Sequence, residues 1–160
     1  LVRLALAGLA LAVTGGPALA QTLHLISVAD SEDGAVGPAF ARNAARINDK
    51  MRSISGLANL HFNLVFIDGI KRKYSCAEIA KAIKDVRVDP DDVVVFYHSG
   101  HGQSSRRSAR DTNFSRFPAL QCSESAREKL PRLEDISNDL RKKKARVTQR
   151  MLNAASFQYE

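Results

Sequence analysis

The segment of this chain with the clearest chemical potential is Ser99-Gly100-His101-Gly102, which follows directly on an apolar run from Val93 to Tyr97. Glycine has no side chain, so the two glycines let the backbone turn sharply and approach another group closely. A histidine between them is raised off the end of a strand, where a reactant can reach it. Such an imidazole can take the proton of a thiol, and a backbone N–H beside it can bind a developing oxyanion. The segment therefore predicts His101 as an accessible general base.

Three other interpretations compete with that one. His101 could be a loop residue without a role, and the sequence leaves this open. His98 and His101 could bind a metal ion, but no third Cys, His or acidic partner is suitably spaced nearby. A serine hydrolase is disfavoured because the chain contains no Gly-x-Ser-x-Gly segment.

The elements that must position this loop alternate between strand and helix. We predict strands at Leu23–Ala29, His61–Ile67 and Val93–Tyr97, a short strand segment within Phe117–Leu120, and helices at Pro38–Ile54, from Ser75 onward with Glu78 in a capping box, and at Leu133–Arg146. Gly56 is expected to stop the first helix. Such alternation is typical of an α/β fold with a mostly parallel central sheet and helices on both faces. The first strand should lie between the second and the third.

Several of these segments together resemble one known family. They are Phe96-Tyr97-His98-Ser99-Gly100-His101-Gly102, the strand Leu23–Ala29 ending in Asp30, the Asp-Asp pair before the Val-rich strand, and Phe117-Pro118-Ala119-Leu120. In them the chain resembles the caspase-like cysteine peptidases, the group of caspases, metacaspases and their bacterial relatives. The resemblance covers roughly Leu23 to Arg146. The motif of that family commonly reads aromatic-Ser-Gly-His-Gly, so His98 is a local departure from it.

The resemblance implies a three-layer caspase-like fold and a cysteine-type endopeptidase that acts on a protein or peptide substrate, with no cofactor and no metal ion. It implies that His101 is the catalytic histidine and that the backbone N–H of Gly102 is half of the oxyanion hole. Relatives that cleave after Arg or Lys bind the cation with aspartates near the catalytic pair, and Asp30 is the substrate-binding residue expected here. Asp30 could instead simply begin a loop or cap a helix.

The chain departs from the family at its expected nucleophile. The next strand should start near Arg146, and in that register Asn153 stands in the place of the family's aspartate and Ala155 in the place of its cysteine. This indicates a C-terminally truncated, frame-shifted or degenerate copy of an endopeptidase, or else a catalytically inactive pseudo-peptidase that binds or scaffolds other molecules. Cys76 and Cys122 are weak substitutes for the missing thiol, since neither matches the family's position.

The charge and the aromatic content of the chain indicate which classes of partner to expect. The formal charge is +7 and the pI about 9.7, which suggests an acidic partner or merely a solvated basic face. The chain has no Trp, and its aromatic residues form no stacking row on one strand, so we expect no specific nucleic-acid binding.

Residues 1–20 read as a signal peptide, with Arg3 as the basic end, an apolar run from Leu4 to Val13 and a small-residue cleavage site, followed by one domain over 21–160. The apolar run is too short for a transmembrane segment. We therefore expect a secreted or periplasmic protein, in which the two cysteines either pair or remain as unrelated thiols. A weak fourth strand would leave the edge of the third strand open, which predicts dimerisation through that edge.

Overall fold

The computed structural model describes residues 21–103, 119–122, 131–153 and 157–158, so the expected signal peptide lies outside the described residues. Every predicted helix and strand that falls within them is present. The elements in chain order are β1 (Thr22–Ala29), α1 (Gly37–Leu57), β2 (His61–Ile67), α2 (Cys76–Asp85), β3 (Val93–Ser99), β4 (Gly102–Gln103), β5 (Ala119–Leu120), α3 (Leu133–Arg141), β6 (Val147–Asn153) and β7 (Phe157–Gln158).

The main sheet has four strands in the order β2-β1-β3-β6, and each neighbouring pair is parallel. The prediction that β1 lies between β2 and β3 is therefore confirmed. A second, small sheet has the order β5-β4-β7, with β4 antiparallel to β5 and parallel to β7. The α/β class and the mostly parallel sheet follow the sequence pattern, because strands joined through helices run in one direction.

Alternating side chains of the central strands face two different helical layers. Leu25 and Val95 pack in one cluster with Ala44 of α1. Ile26 and Phe96 pack in the other cluster, with apolar residues of α2 and α3. Strands buried on both faces need apolar residues at successive positions, which is why the sequences of β1 and β3 are nearly continuous apolar runs.

Two helices end elsewhere than predicted. Helix α1 continues through Gly56, and the left-handed backbone conformation that closes the turn falls instead at Asn59, with a φ of 53°. Asparagine tolerates this conformation better than most residues, so it replaces the expected glycine stop. Helix α3 ends at Arg141, and a positive φ of 60° at Lys144 redirects the chain into β6.

The prediction that β3 has an open edge is wrong. Strand β6 pairs with β3 over its full length, from Val93 opposite Val147 to Ser99 opposite Asn153, so β3 is an internal strand. Ladder pairing uses backbone groups, and polar residues at Gln149 and Arg150 do not prevent it. Dimerisation through β3 is therefore not available.

Candidate active site

His101 and Asp30 meet at the carboxyl edge of the main sheet. Asp30 follows β1, His101 follows β3, and these two strands are parallel neighbours. The backbone N–H of Asp30 donates to the carbonyl of Ser99 at 2.9 Å, which continues the ladder just past the strand ends. The carboxyl edge of a parallel sheet is where α/β proteins usually place their binding and catalytic groups.

The two side chains form a direct pair. Nδ1 of His101 lies 2.9 Å from Oδ2 of Asp30, and the two side chains are 24% and 12% exposed. Since a carboxylate only accepts hydrogen bonds, Nδ1 carries a proton, and the neutral form of this imidazole has its lone pair on Nε2. The imidazole is thus held in one tautomer, with its basic nitrogen directed away from Asp30. This is the arrangement of a histidine prepared to accept a proton.

A second carboxylate faces that basic nitrogen. Oδ2 of Asp33 lies 3.8 Å from Nε2 of His101. The other oxygen, Oδ1, accepts the backbone N–H groups of Ala35 and Val36, each at 2.8 Å. These bonds, that of Val36 first, lower the pKa of Asp33 below its usual range, and the nearby His101 adds to the effect. Asp33 is consequently an anion beside the site in neutral solution.

Buried groups fix the histidine ring and its loop. The ring of Phe40, which is 1% exposed on α1, meets the ring of His101 edge-on with centroids 5.3 Å apart. A Cβ on Gly100 would lie 2.7 Å from Cβ of Asp30 and 3.0 Å from the imidazole of His98. Only glycine, which has no Cβ, fits so close to those two side chains, which explains one glycine of the motif.

The segment 119–122, which we call the strap, lies along the histidine loop. Leu120 of the strap pairs with Gly102, and the N–H of Gln121 donates to the carbonyl of His101 at 3.1 Å. At its end, Cys122 forms a disulfide with Cys76 at the start of α2. The sequence left open whether these cysteines pair. Because they do, neither supplies a free thiol, and their suggested role as substitute nucleophile does not fit this structure.

Beneath the loop, His98 belongs to a buried polar cluster. Its side chain points to the α2 and α3 face, where Nε2 lies 2.9 Å from the hydroxyl oxygen of Tyr74. The hydroxyl of Tyr74 donates to the carbonyl of Gln121 at 3.1 Å, so Nε2–H of His98 donates to Tyr74. Burial, with a smaller effect of nearby His101, lowers the pKa of His98 from 6.5 to about 4. His98 is therefore neutral in neutral solution, and within the described residues no cluster suited to a metal ion includes it.

The remaining predicted site residues lie around this pair. Gly102 begins β4 and is paired with Leu120 and with Phe157. Its oxyanion role stays a prediction, as does a substrate-binding role for Asp30. Ala155 lies outside the described residues, but Asn153 before it is paired with Ser99. The chain thus returns to the histidine loop on both sides of that position.

Three groups at the site were missed by sequence reasoning: Tyr74, Asp33 and Phe40. The sequence around each of these residues gives little indication of its place in the site. Phe40 reads as an ordinary helix-core residue, and Asp33 as one acidic residue of a loop. Tyr74 lies two residues before a cysteine whose partner was unknown. Only the tertiary contacts bring Asp33 and Phe40 to His101, and Tyr74 to His98 and the strap.

Comparison with known proteins found no match: no protein-family model, no curated protein and no solved structure matches this chain. Among the described residues, no helix is both long and apolar enough to cross a membrane. What the site does must be argued from its own geometry.

Proposed function

We propose that this chain carries the histidine and aspartate half of a cysteine-type endopeptidase site of the caspase-like kind. One observation supports this most directly: the His101 side chain is 24% exposed at the carboxyl edge of the sheet, with Nδ1 bonded to Asp30 at 2.9 Å. The residues of the His101 loop and their resemblance to the caspase-like peptidases agree with that proposal.

In the proposed reaction, Nε2 of His101 accepts the proton of a thiol, and the thiolate attacks the carbonyl carbon of a peptide bond. The N–H of Gly102 stabilises the negative oxygen of the tetrahedral intermediate. When the C–N bond breaks, the imidazolium returns the proton to the leaving amine. Water then hydrolyses the acyl-enzyme with the same histidine as base. Asp30 keeps the imidazole in one tautomer and stabilises its charged form.

The source of the thiol separates two candidate functions. The chain has two cysteines, and both are in the disulfide. The resemblance places the nucleophile at Ala155, which has no reactive side chain. This favours a second candidate, a catalytically inactive pseudo-peptidase that binds peptides at the same edge.

We also propose that the protein acts in an oxidising compartment outside the cytosol. A disulfide persists in secreted or periplasmic proteins, and Cys76–Cys122 supports this proposal. The expected partner is a protein or peptide with an extended segment.

The decisive experiment restores a thiol. The Ala155→Cys variant is treated with a panel of peptide acyloxymethyl ketones, and covalent adducts are measured by intact mass. We expect adducts on the introduced thiol that form about 10²–10⁴-fold more slowly when His101→Ala is added, since general-base assistance has that size. Peptide mapping under non-reducing conditions checks that Cys76 and Cys122 remain paired.

Ala154→Cys is the matched control, because it places the same thiol one residue away. If the thiol of Ala155→Cys reacts no faster than the thiol of Ala154→Cys, or is indifferent to His101, the peptidase proposal is wrong. Binding of the same peptides to the unmodified chain then tests the pseudo-peptidase candidate.

A further inference from the structure

The histidine loop is held from below by a side chain of a different element. Tyr74 comes from the segment that leads into α2, yet its hydroxyl bonds both to the strap and to β3. It donates to the carbonyl of Gln121 at 3.1 Å and accepts from Nε2 of His98 at 2.9 Å. Tyr74 is 8% exposed, so water does not readily replace either bond.

Each of these two hydrogen bonds connects Tyr74 to His101 through one or two further residues. Through the strap, the same residue whose carbonyl accepts from Tyr74 donates its own N–H to the carbonyl of His101. Through the strand, the imidazole of His98 and Cβ of Asp30 both lie within 3.0 Å of the position that a Cβ on Gly100 would occupy. A change at Tyr74 therefore affects the backbone of His101 and the backbone next to its carboxylate partner.

The covalent link nearby does not replace this contact. The disulfide holds Cys122 to Cys76, and the N–H of Cys76 donates to the carbonyl of Cys122 at 3.2 Å. Both bonds fix the end of the strap. The carbonyl of Gln121, one residue earlier and nearer to His101, is held by the hydroxyl of Tyr74.

We propose that Tyr74 is a positioning residue for His101, which acts through the strap and through His98 to keep the imidazole on Asp30. The inference rests on the proposed function of the His101–Asp30 pair. Tyr74 itself does not touch the reacting atoms. Its hydroxyl is the single group that joins the strap to β3 beneath the loop among the hydrogen bonds of the described residues.

The test uses Tyr74→Phe, which removes only the hydroxyl oxygen and keeps the buried ring. The signal measured is the imidazole Nδ1–H of His101 in a ¹⁵N-labelled chain, which the bond to Asp30 protects from exchange with water. We expect this proton to exchange at least about tenfold faster in Tyr74→Phe than in the parent chain. Tyr97→Phe, a second buried tyrosine on the α1 face, is the matched control and should leave the rate unchanged.

A Tyr74→Phe chain that folds and protects the His101 proton as well as the parent does would overturn the proposal. Asp30→Ala, which leaves no acceptor for Nδ1–H, separates this failure from that of the proposed function. If the proton is unaffected in Asp30→Ala, the His101–Asp30 pair itself is wrong, whatever Tyr74 does.

A second measurement needs no variant and covers the case in which Tyr74→Phe does not fold. In the parent chain, the amide of Gln121 and Nδ1–H of His101 should exchange in one common opening, with protection within about tenfold of each other. Rapid exchange at His101 while the Gln121 amide stays protected would contradict a link through the strap.

Discussion

Gly100 lies close to two side chains of the site, those of Asp30 and His98, and this makes its substitution a sharp test at the scale of a single residue. In Gly100→Ala the new methyl group would lie 2.7 Å from Cβ of Asp30 and 3.0 Å from the ring of His98. Cβ of Asp30 is close to the backbone and cannot move away freely. We expect a loss of about 1–3 kcal/mol in the free energy of unfolding, as for other overpacked sites. Urea denaturation measures it.

Gly56→Ala is the matched control for that substitution. Gly56 lies within α1, and a Cβ there would meet nothing within 4 Å. Alanine in a helix is favoured over glycine by about 0.5–1 kcal/mol, so this variant should become more stable. If the two variants change stability equally, the crowding described around Gly100 is wrong.

His98 gives the chain a predicted pH dependence of stability. The pKa of its imidazole is about 4 in the folded chain and 6.5 as a free side chain, because burial opposes the charged form. Between these values the unfolded chain binds the proton more readily, so stability falls as the pH drops from about 6.5 to about 4. A difference of this size corresponds to about 3 kcal/mol.

The measurement is urea unfolding at several pH values between 7 and 4.5, in the parent and in His98→Gln. We expect the variant to be less stable at pH 7 but to lose less stability than the parent on acidification. His61→Gln changes a histidine at an exposed position and should behave as the parent does. A parent chain whose stability is flat over this range would contradict the buried, neutral state of His98.

At the scale of elements, the strap depends on the disulfide at its end. Cys76 and Cys122 are 46 residues apart in sequence, and the loop that they close contains β3 and the histidine loop. A cross-link over such a loop typically stabilises a protein by about 2–4 kcal/mol. We expect the free energy of unfolding of the double variant Cys76→Ser/Cys122→Ser, measured by urea denaturation, to be lower by about 2–4 kcal/mol.

Amide hydrogen exchange shows which elements lose stability in the Cys76→Ser/Cys122→Ser variant. The amides of Leu120 and Gln121 should lose more protection than those of β1, because β1 is paired with β2 on one side and β3 on the other. If strap and β1 amides lose protection to the same extent, the disulfide stabilises the whole domain and has no special effect on the strap.

The elements were predicted well where local rules decide them. Strand β2 matches its predicted bounds, and the N-cap of α2 is Ser75, whose side chain accepts from the N–H of Glu78, which is one of the two bonds of the predicted capping box. The carboxylate of Glu78 bonds to Arg72 at 2.9 Å. Hydrophobic periodicity and helix capping depend on residues close together in the sequence, so the sequence alone is enough to predict them.

Contacts between distant segments were harder to predict. The histidine of the site was found from its motif, and Asp30 was found with a different role in mind. The disulfide stayed undecided because no local pattern states which cysteines meet. The ability of β6 to pair with β3 was underestimated because of its polar residues Gln149 and Arg150. The pairing uses backbone groups, so the polarity of these residues does not predict whether it forms.

At the scale of the whole molecule, two histidine–aspartate pairs lie at opposite edges of one sheet. His24 and Asp92 are at the amino edge, with Nε2 2.9 Å from Oδ2. Asn63 donates to Nδ1 of His24, so all the polar atoms of that ring are bonded. The His24 side chain is 8% exposed, whereas the His101 side chain is 24% exposed. The same chemical pair is thus structural at one edge and accessible at the other.

This contrast predicts which histidines a reagent can reach. The chain has four histidines: His24, His61, His98 and His101. Diethylpyrocarbonate at pH 6.5 should modify exposed His61 first and then His101, whose side chain is 24% exposed. His24 and His98, with their bonded and buried rings, should remain unmodified in the native chain. Mass spectrometry of peptides over a time course gives the rate at each position.

The same reaction in 8 M urea is the control, because all four histidines become accessible in the unfolded chain and should react at similar rates. Asp30→Asn should change the rate at His101 and leave the rate at His61 as it was. If His98 or His24 reacts as fast as His61 in the native chain, the described burial is wrong. If His101 is as protected as His24, its imidazole is not open to a substrate, and the site lacks the accessible base that peptide-bond chemistry requires.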